Sequence, residues 1–227
     1  MIEHPSQWEY LVRLGGMKPE IRSLADYANA TTTGLLVANL YLREQTDHFG
    51  PALTSDLRVA HRLAFGEVYD WAGNFRKPNQ HVRIGGLVAS DPARIEPELE
   101  LARRQALVVG ATHGDLVAAC FYHIRFERTH GFRDGNGRVG RALLEAQLTG
   151  VKSDAVLRID RDEYLAAVKR TNQGDLKQFV ALISDKLGMT VPLVQVLSPF
   201  RLAPFLVGDE RVSEDMDVML ERSRVNG

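Results

Sequence analysis

The sequence predicts an all-α protein, a bundle of roughly seven or more helices with one small β-hairpin. Three observations carry this expectation. Apolar residues recur at helical spacing along most of the chain, between capping and breaking residues. The run Leu116-Val117-Ala118-Ala119-Cys120-Phe121-Tyr122 is apolar on nearly all sides, as a central buried helix should be. Only Gln80 to Ala89 alternates in the manner of strands, through Val82, Ile84 and Leu87 about a Gly85-Gly86 turn.

Taken in order, Ser6-x-x-Glu9 reads as a capping box for a short helix through Leu14, ended by Gly15-Gly16. A second helix is expected from Pro19 to Ala30. The Thr31-Thr32-Thr33 cluster then caps a third, Gly34 to Glu44, before a loop at His48-Phe49-Gly50-Pro51. Thr54-Ser55-Asp56 starts a helix with Leu57, Ala60, His61 and Ala64 on one stripe, and His61 reads as a hydrogen-bonded core or rim histidine. Val68 to Arg76 is an aromatic corner. Asp91-Pro92 caps a helix to Val109, with Pro97 in its early turns, and Gly114-Asp115 opens one to Thr129 that carries His123 as a structural histidine. Further helices are expected at Arg138 to Leu148, from an Asp160 N-cap to Asn172, and from Asp175 to Leu187, with a short extended piece at Leu157-Arg158-Ile159. From Thr190 onward prolines interrupt an apolar segment, with one terminal helix at Ser213 to Ser223.

The 227 residues suit one domain with a small appendage. Lys+Arg total 28 against 29 Asp+Glu, so neither nucleic acid nor an anionic membrane is expected as a direct partner. The single cysteine, Cys120, reads as a buried small hydrophobe. No stretch is long and apolar enough to span a bilayer, and the start lacks a secretory pattern. The chain therefore reads as cytoplasmic, with export as an effector the alternative.

The chemistry concentrates in Thr129-His130-Gly131-Phe132-Arg133-Asp134-Gly135-Asn136-Gly137-Arg138-Val139-Gly140-Arg141. A glycine-rich turn opening a helix presents backbone N–H groups and a partial positive charge to an anion. Arg138 and Arg141, three apart, are expected on one face as two positive forks. Asp134 is a hard oxygen ligand suited to Mg²⁺ shared with phosphates, and His130 can take a proton near neutral pH. This set describes phosphoryl or nucleotidyl transfer. A calcium loop from Asp134 through Asn136 to Glu145 fails at Val139, where a glycine is needed.

The segment resembles the signature of the Fic (filamentation induced by cAMP) family of protein AMP transferases, His-x-Phe-x-Asp/Glu-Gly-Asn-Gly-Arg-x-x-Arg, at every fixed position. Gly131 departs from the proline common after the histidine. The stretch Tyr69-Asp70-Trp71-Ala72-Gly73-Asn74-Phe75-Arg76 resembles the Tyr-x-Trp-Ala-Gly-x-x-Arg segment before the family's flap.

The resemblance implies a catalytic core over 54–189, after an N-terminal helical extension over 1–53 and before an appendage of unread role over 190–227. It implies that His130 deprotonates a target hydroxyl, that Asp134 holds Mg²⁺, and that Gly135, Asn136, Gly137, Arg138 and Arg141 bind the phosphates of the donor ATP, with Phe132 anchoring the loop. It further implies that the hairpin is a flap over the active-site loop, registering a target protein along Gln80 to Ala89, where His81 and Arg83 lie. The implied activity is AMP transfer to a Ser, Thr or Tyr hydroxyl, as in a toxin or effector. Alternatives are transfer of UMP, phosphate or phosphocholine, or nucleotide binding without turnover. Tyr164 and Asn172 stand where adenine or ribose contacts are plausible, with packing or surface polarity the plainer reading. The family's inhibitory Ser/Thr-x-x-x-Glu-Gly/Asn motif is absent, since no Ser or Thr meets Glu four residues on. Either a separate antitoxin-like protein supplies that glutamate or the enzyme is unrestrained.

Overall fold

The helix α5, Asp115–Thr129, is the axis of the bundle, with every residue buried except Asp115 and Arg128. A helix apolar all round can only sit inside others. Here α4 (Ile95–His113), α6 (Asn136–Thr149) and α8 (Lys177–Lys186) pack around it. The computed structural model describes residues 6–80, 82–84, 87–171 and 176–189. The remaining helices are α1 (Gln7–Arg13), α2 (Leu24–Phe49), α3 (Thr54–Phe65) and α7 (Arg161–Thr171), with a 3₁₀ turn at Pro92–Arg94. The fold is all-α apart from β1 (Arg83–Ile84) and β2 (Leu87–Val88), which pair antiparallel in the register Arg83↔Val88 and Ile84↔Leu87. The expected Gly85-Gly86 turn, Asn172 and all of 190–227 lie outside the described residues.

The caps read from sequence form as expected at two starts. Ser6 Oγ accepts from Glu9 N–H while the Glu9 carboxylate accepts from Ser6 N–H, and Asp160 Oδ1 accepts from the N–H groups of Asp162 and Glu163. Gly188, at φ 63°, closes the chain after α8 in the left-handed conformation.

The largest departure is α2. Two helices with a threonine cap between them are instead one helix of 26 residues, capped by Ser23, whose Oγ accepts from Asp26 N–H. Thr31 does not break it, because its hydroxyl turns back to donate to Tyr27 C=O at 2.8 Å. Gly34 starts no helix either. It marks the crossing with α3, where an added Cβ would stand 2.5 Å from the Ala64 carbonyl oxygen. The helix also runs through His48 and Phe49, where a loop was expected. Smaller departures are α6, which begins at Asn136 rather than Arg138, α4, which continues to His113, and 157–159, which forms no strand.

One apolar cluster joins Leu11, Tyr27, Ala38 and Leu42 of α1 and α2 to Phe121, Phe126, Leu143 and Phe179. Cys120 lies within it, its thiol pushed up by burial. Among the described residues no helix is long and apolar enough to cross a membrane.

Two histidines are buried as neutral rings. Burial holds His61 down to about 4 and His123 down to about 3, from an ordinary 6.5. Glu127, fully inside, is pushed the other way, up to about 7. Between pH 6.5 and 5, unfolding lets each histidine take up a proton while Glu127 releases one. At pH 6.5 the half-protonated unfolded histidines nearly balance Glu127, and by pH 5.5 the unfolded state binds about one proton more, so these three groups lower stability by about 0.8 kcal/mol between pH 6.5 and 5.5. Urea unfolding at pH 6.5 and 5.5 measures this slope, and a flat or opposite slope contradicts it.

Candidate active site

The active-site loop begins with a strained residue. His130 caps α5 in the left-handed conformation, φ 48° and ψ 53°, the one non-glycine with positive φ among the described residues. Such backbone costs on the order of 1 kcal/mol or more and persists only where the surroundings hold it. What holds it is Arg76. Its Nε donates to His130 C=O at 2.8 Å, and its backbone N–H donates to Gly131 C=O at 2.8 Å. The rest of the guanidinium reaches Gln80 C=O at 2.6 Å and Ser90 C=O at 2.7 Å, tying the loop to both ends of the β1–β2 segment. Gly131 fits tightly beneath Phe75 and Ile95, each 3.0 Å from where its Cβ would be.

The loop is closed by Asn136. Its Oδ1 accepts from Phe132 N–H and its Nδ2 donates to Phe132 C=O, so the buried side chain is occupied within the turn. Its backbone N–H and that of Gly137 open α6, where the first N–H groups of a helix lack intrahelical partners. Gly135, at φ 80°, has no alternative, since a Cβ would fall 2.4 Å from the Phe65 ring. Phe132 is fully buried and stacks on His61 with ring centroids 3.9 Å apart.

His61 is structural in the expected sense, and it also holds the site. Gly73 N–H donates to Nδ1, so Nε2 carries the proton and donates to Asp134 C=O at 3.0 Å. The ring thus joins the aromatic corner to the signature loop. The Asp134 carboxylate points toward α2 and α6: Oδ2 accepts from Arg138 at 2.7 Å and from the Tyr27 hydroxyl at 3.1 Å. Arg138 lies over the rings of Phe65 (4.5 Å) and Tyr27 (5.3 Å). Arg141 is exposed and lies over Tyr164 at 5.6 Å. The two arginines share a helix face but lean toward different neighbours.

His130 Nδ1 meets Glu127 C=O at 3.2 Å. A carbonyl can only accept, so Nδ1 carries the proton and Nε2 keeps a lone pair. Burial, the leading cause, lowers the ring from its ordinary 6.5. The same loop and the first turns of α6 carry the Asp134 carboxylate and the Arg138 and Arg141 guanidinium groups.

Residues 52–148 match the Fic/DOC family model. This segment is a Fic domain. The protein adenylyltransferase Fic of Drosophila persimilis is 28% identical over 144 residues, covering 61% of this chain and 28% of that protein, and that of Drosophila melanogaster is 27% identical over the same length. The chain thus spans little more than a quarter of these relatives. Among solved structures, the BepC effector of Bartonella tribocorum with bound AMPPNP has a TM-score of 0.56 at 19% identity, over 74% of this chain and 90% of that one. A Fic-domain signalling protein of Bacteroides thetaiotaomicron has a TM-score of 0.55 at 20% identity, over 80% of each chain. These structures share the fold.

The geometry bears on two readings left from the sequence. Tyr164 is buried and its hydroxyl donates to His123 Nε2 at 2.8 Å, which makes it a packing residue. His123 Nδ1 in turn donates to Gly140 C=O. Glu145 pairs with Arg43 at 3.1 Å and does not converge with Asp134, so no calcium loop forms. Among the described residues no three His, Cys, Asp or Glu side chains converge as a metal cage. A single carboxylate beside the start of a helix nonetheless fits Mg²⁺, which keeps several waters and is commonly held by one or two carboxylates. Beside the loop lies a cleft of about 280 Å³ lined by Asp70, Trp71, Asn74, Phe75, Lys77, Gln80 and Arg133.

Sequence reasoning missed two residues. Arg76 was read only as part of an aromatic corner and a resemblance, because its carbonyl partners come from distant segments. Glu127 sits in a helix apolar all round, and nothing local marked it. Its carboxylate lies against α6, with both oxygens 4.0 Å from where a Gly137 Cβ would be, and Oε1 has no hydrogen-bond partner.

Replacing Arg76 by alanine should destabilise the chain by about 3 kcal/mol or more, since it leaves buried carbonyls without donors. Amide exchange should rise first at Gly131 and near Ser90. Unaltered exchange there would show that Arg76 does not hold the loop.

Proposed function

We propose that this Fic domain transfers AMP from ATP to a hydroxyl of a protein side chain, with release of diphosphate. The observation that carries the reading is His130, whose Nδ1 is engaged by Glu127 C=O so that Nε2 keeps its lone pair, on the same loop as Asp134 and Arg138. The naming of the Drosophila relatives as protein adenylyltransferases and the AMPPNP in the BepC structure support ATP as donor.

In this mechanism Nε2 of His130 takes the proton of the target hydroxyl as its oxygen attacks the α-phosphorus. The bond from that phosphorus to the bridging oxygen breaks, and diphosphate leaves with the electron pair. The N–H groups of Asn136 and Gly137 and the guanidinium groups of Arg138 and Arg141 carry the developing charge on the leaving group. Asp134 is the residue that would hold Mg²⁺, which when bound adds charge neutralisation between the phosphates. The target segment aligns along Gln80 to Ala89 as an added strand. Arg141 has no carboxylate within ion-pair distance among the described residues, which fits a regulator supplied by another protein or none at all.

Incubation with Mg²⁺ and labelled ATP tests the reaction. Label from the α-position should appear on protein, whereas γ-label would mean phosphorylation and neither would mean binding alone. His130→Ala should lower transfer by about 10²–10⁴ while ATP binding stays near wild type. Equal transfer by mutant and wild type rules His130 out as the base.

The pH profile follows from the lowered His130 ring. The neutral form is the active one, so transfer should be level through pH 7. It should fall only as pH drops below the ordinary histidine value of 6.5. An acid limb centred above 6.5 in the pH dependence of kcat/KM contradicts the assignment.

A further inference from the structure

The helix α2 lies wholly before residues 52–148, the segment that matches the family, yet it delivers a side chain to the site. Tyr27 is 4% exposed, and its ring is held edge-on by Tyr69 at 6.3 Å. From there its hydroxyl donates to Asp134 Oδ2, and its face lies under the Arg138 guanidinium at 5.3 Å. The same carboxylate oxygen also accepts from Arg138. We propose that Tyr27 is a positioning residue of the nucleotide site, which keeps the Asp134 carboxylate aimed when Arg138 leaves it for a phosphate. This rests on the nucleotide-binding reading given above.

The argument is one of competition. In the resting chain Asp134 and Arg138 neutralise each other across 2.7 Å. A phosphate draws the guanidinium away, because both anions want the same donors. A cation held with that phosphate needs the carboxylate at the same moment. Once Arg138 turns, the carboxylate loses its charged anchor, and the terminal torsion of an aspartate is broad and weakly restrained. The phenol then remains as the donor that fixes one oxygen and leaves the other for the metal. A phenol keeps its proton near neutral pH, so the hydroxyl remains a donor. Donors of this kind, one step behind a metal ligand, typically change metal affinity by about 10–100-fold when removed.

Two consequences separate this role from plain packing. Cation and nucleotide should bind with positive coupling, because each removes one half of the Asp134–Arg138 pair. Tyr27 should matter for the cation, because its hydroxyl touches the carboxylate.

The test uses the full chain, Mn²⁺ as the probe cation and a non-hydrolysable ATP analogue, with Tyr27→Phe keeping the ring and losing the hydroxyl. The Mn²⁺ concentration for half-saturation, read by electron paramagnetic resonance with analogue present, should rise by about 10-fold. Analogue affinity without metal should stay within about two-fold of wild type, and the melting temperature should be nearly unchanged. In an Asp134→Asn background, adding Tyr27→Phe should change nothing further, as expected of two groups acting through one contact. An unshifted Mn²⁺ dependence in Tyr27→Phe overturns the proposal, and so does an equal loss of analogue affinity with and without metal. A wild-type chain that binds neither analogue nor its Mn²⁺ complex overturns the nucleotide-site reading itself, and the role of Tyr27 with it.

Discussion

The structure depends on one cation placed where cations rarely go. Arg76 is 4% exposed and has no carboxylate within ion-pair distance among the described residues, so backbone carbonyl dipoles must replace its hydration. Burial leaves its guanidinium less basic than usual, and Asp91 partly offsets this from a distance. A planar fork with several fixed N–H directions can join several chain segments at one point, which a lysine could not do. The end of α5, the entry to β1 and the exit from β2 meet there. The left-handed His130 is tolerable because this fork fixes the carbonyl on its far side. Backbone strain at His130 and a buried charge at Arg76 are therefore two halves of one arrangement.

Around that fixed point the site is a set of compensated charges. Asp134 and Arg138 form a pair with modest exposure, walled by Phe65 and Tyr27, where the local dielectric strengthens both attraction and desolvation. Glu127 is different. Buried against the first turn of α6, it remains close to half-protonated near pH 7, with Arg141 the one charge drawing it back toward ionisation. Gly140 makes room for it, since a Cβ would overlap Oε1 at 2.2 Å. That glycine lies between Arg138 and Arg141, and packing shows why it is small.

Local features were legible in the sequence where the cause was local. The capping box at Ser6, the Asp160 cap, the all-apolar α5 and the polar turn between two apolar helices all follow from neighbouring residues. Asn136 shows the limit: the turn was visible, but its side chain closes the loop rather than facing outward. α2 shows a second limit. Three consecutive threonines and a glycine have poor helical propensity, and a few tenths of a kcal/mol each is small beside the burial of a long helix face. The crossing at Gly34 is set by α3, which no window around Gly34 contains. His61 was read correctly as structural, yet its partner, the Asp134 carbonyl, lies 73 residues away.

The continuity of α2 has a consequence for what counts as the working unit. Tyr27 near one end touches the carboxylate, while Asn39 donates to Ala142 C=O and Arg43 pairs with Glu145 further along. Sixteen residues of helix separate Tyr27 from Arg43, about 24 Å at the usual rise. One rigid strut is therefore fastened to α6 along its length, and its tip reaches the reacting region. A chain cut at the start of the family match would keep the signature and lose the strut. It would expose the apolar face of α6 and leave Asp134 with Arg138 as its sole side-chain donor among the described residues. The span that matches the family and the span that holds the Asp134 carboxylate are, in this molecule, different lengths of polypeptide.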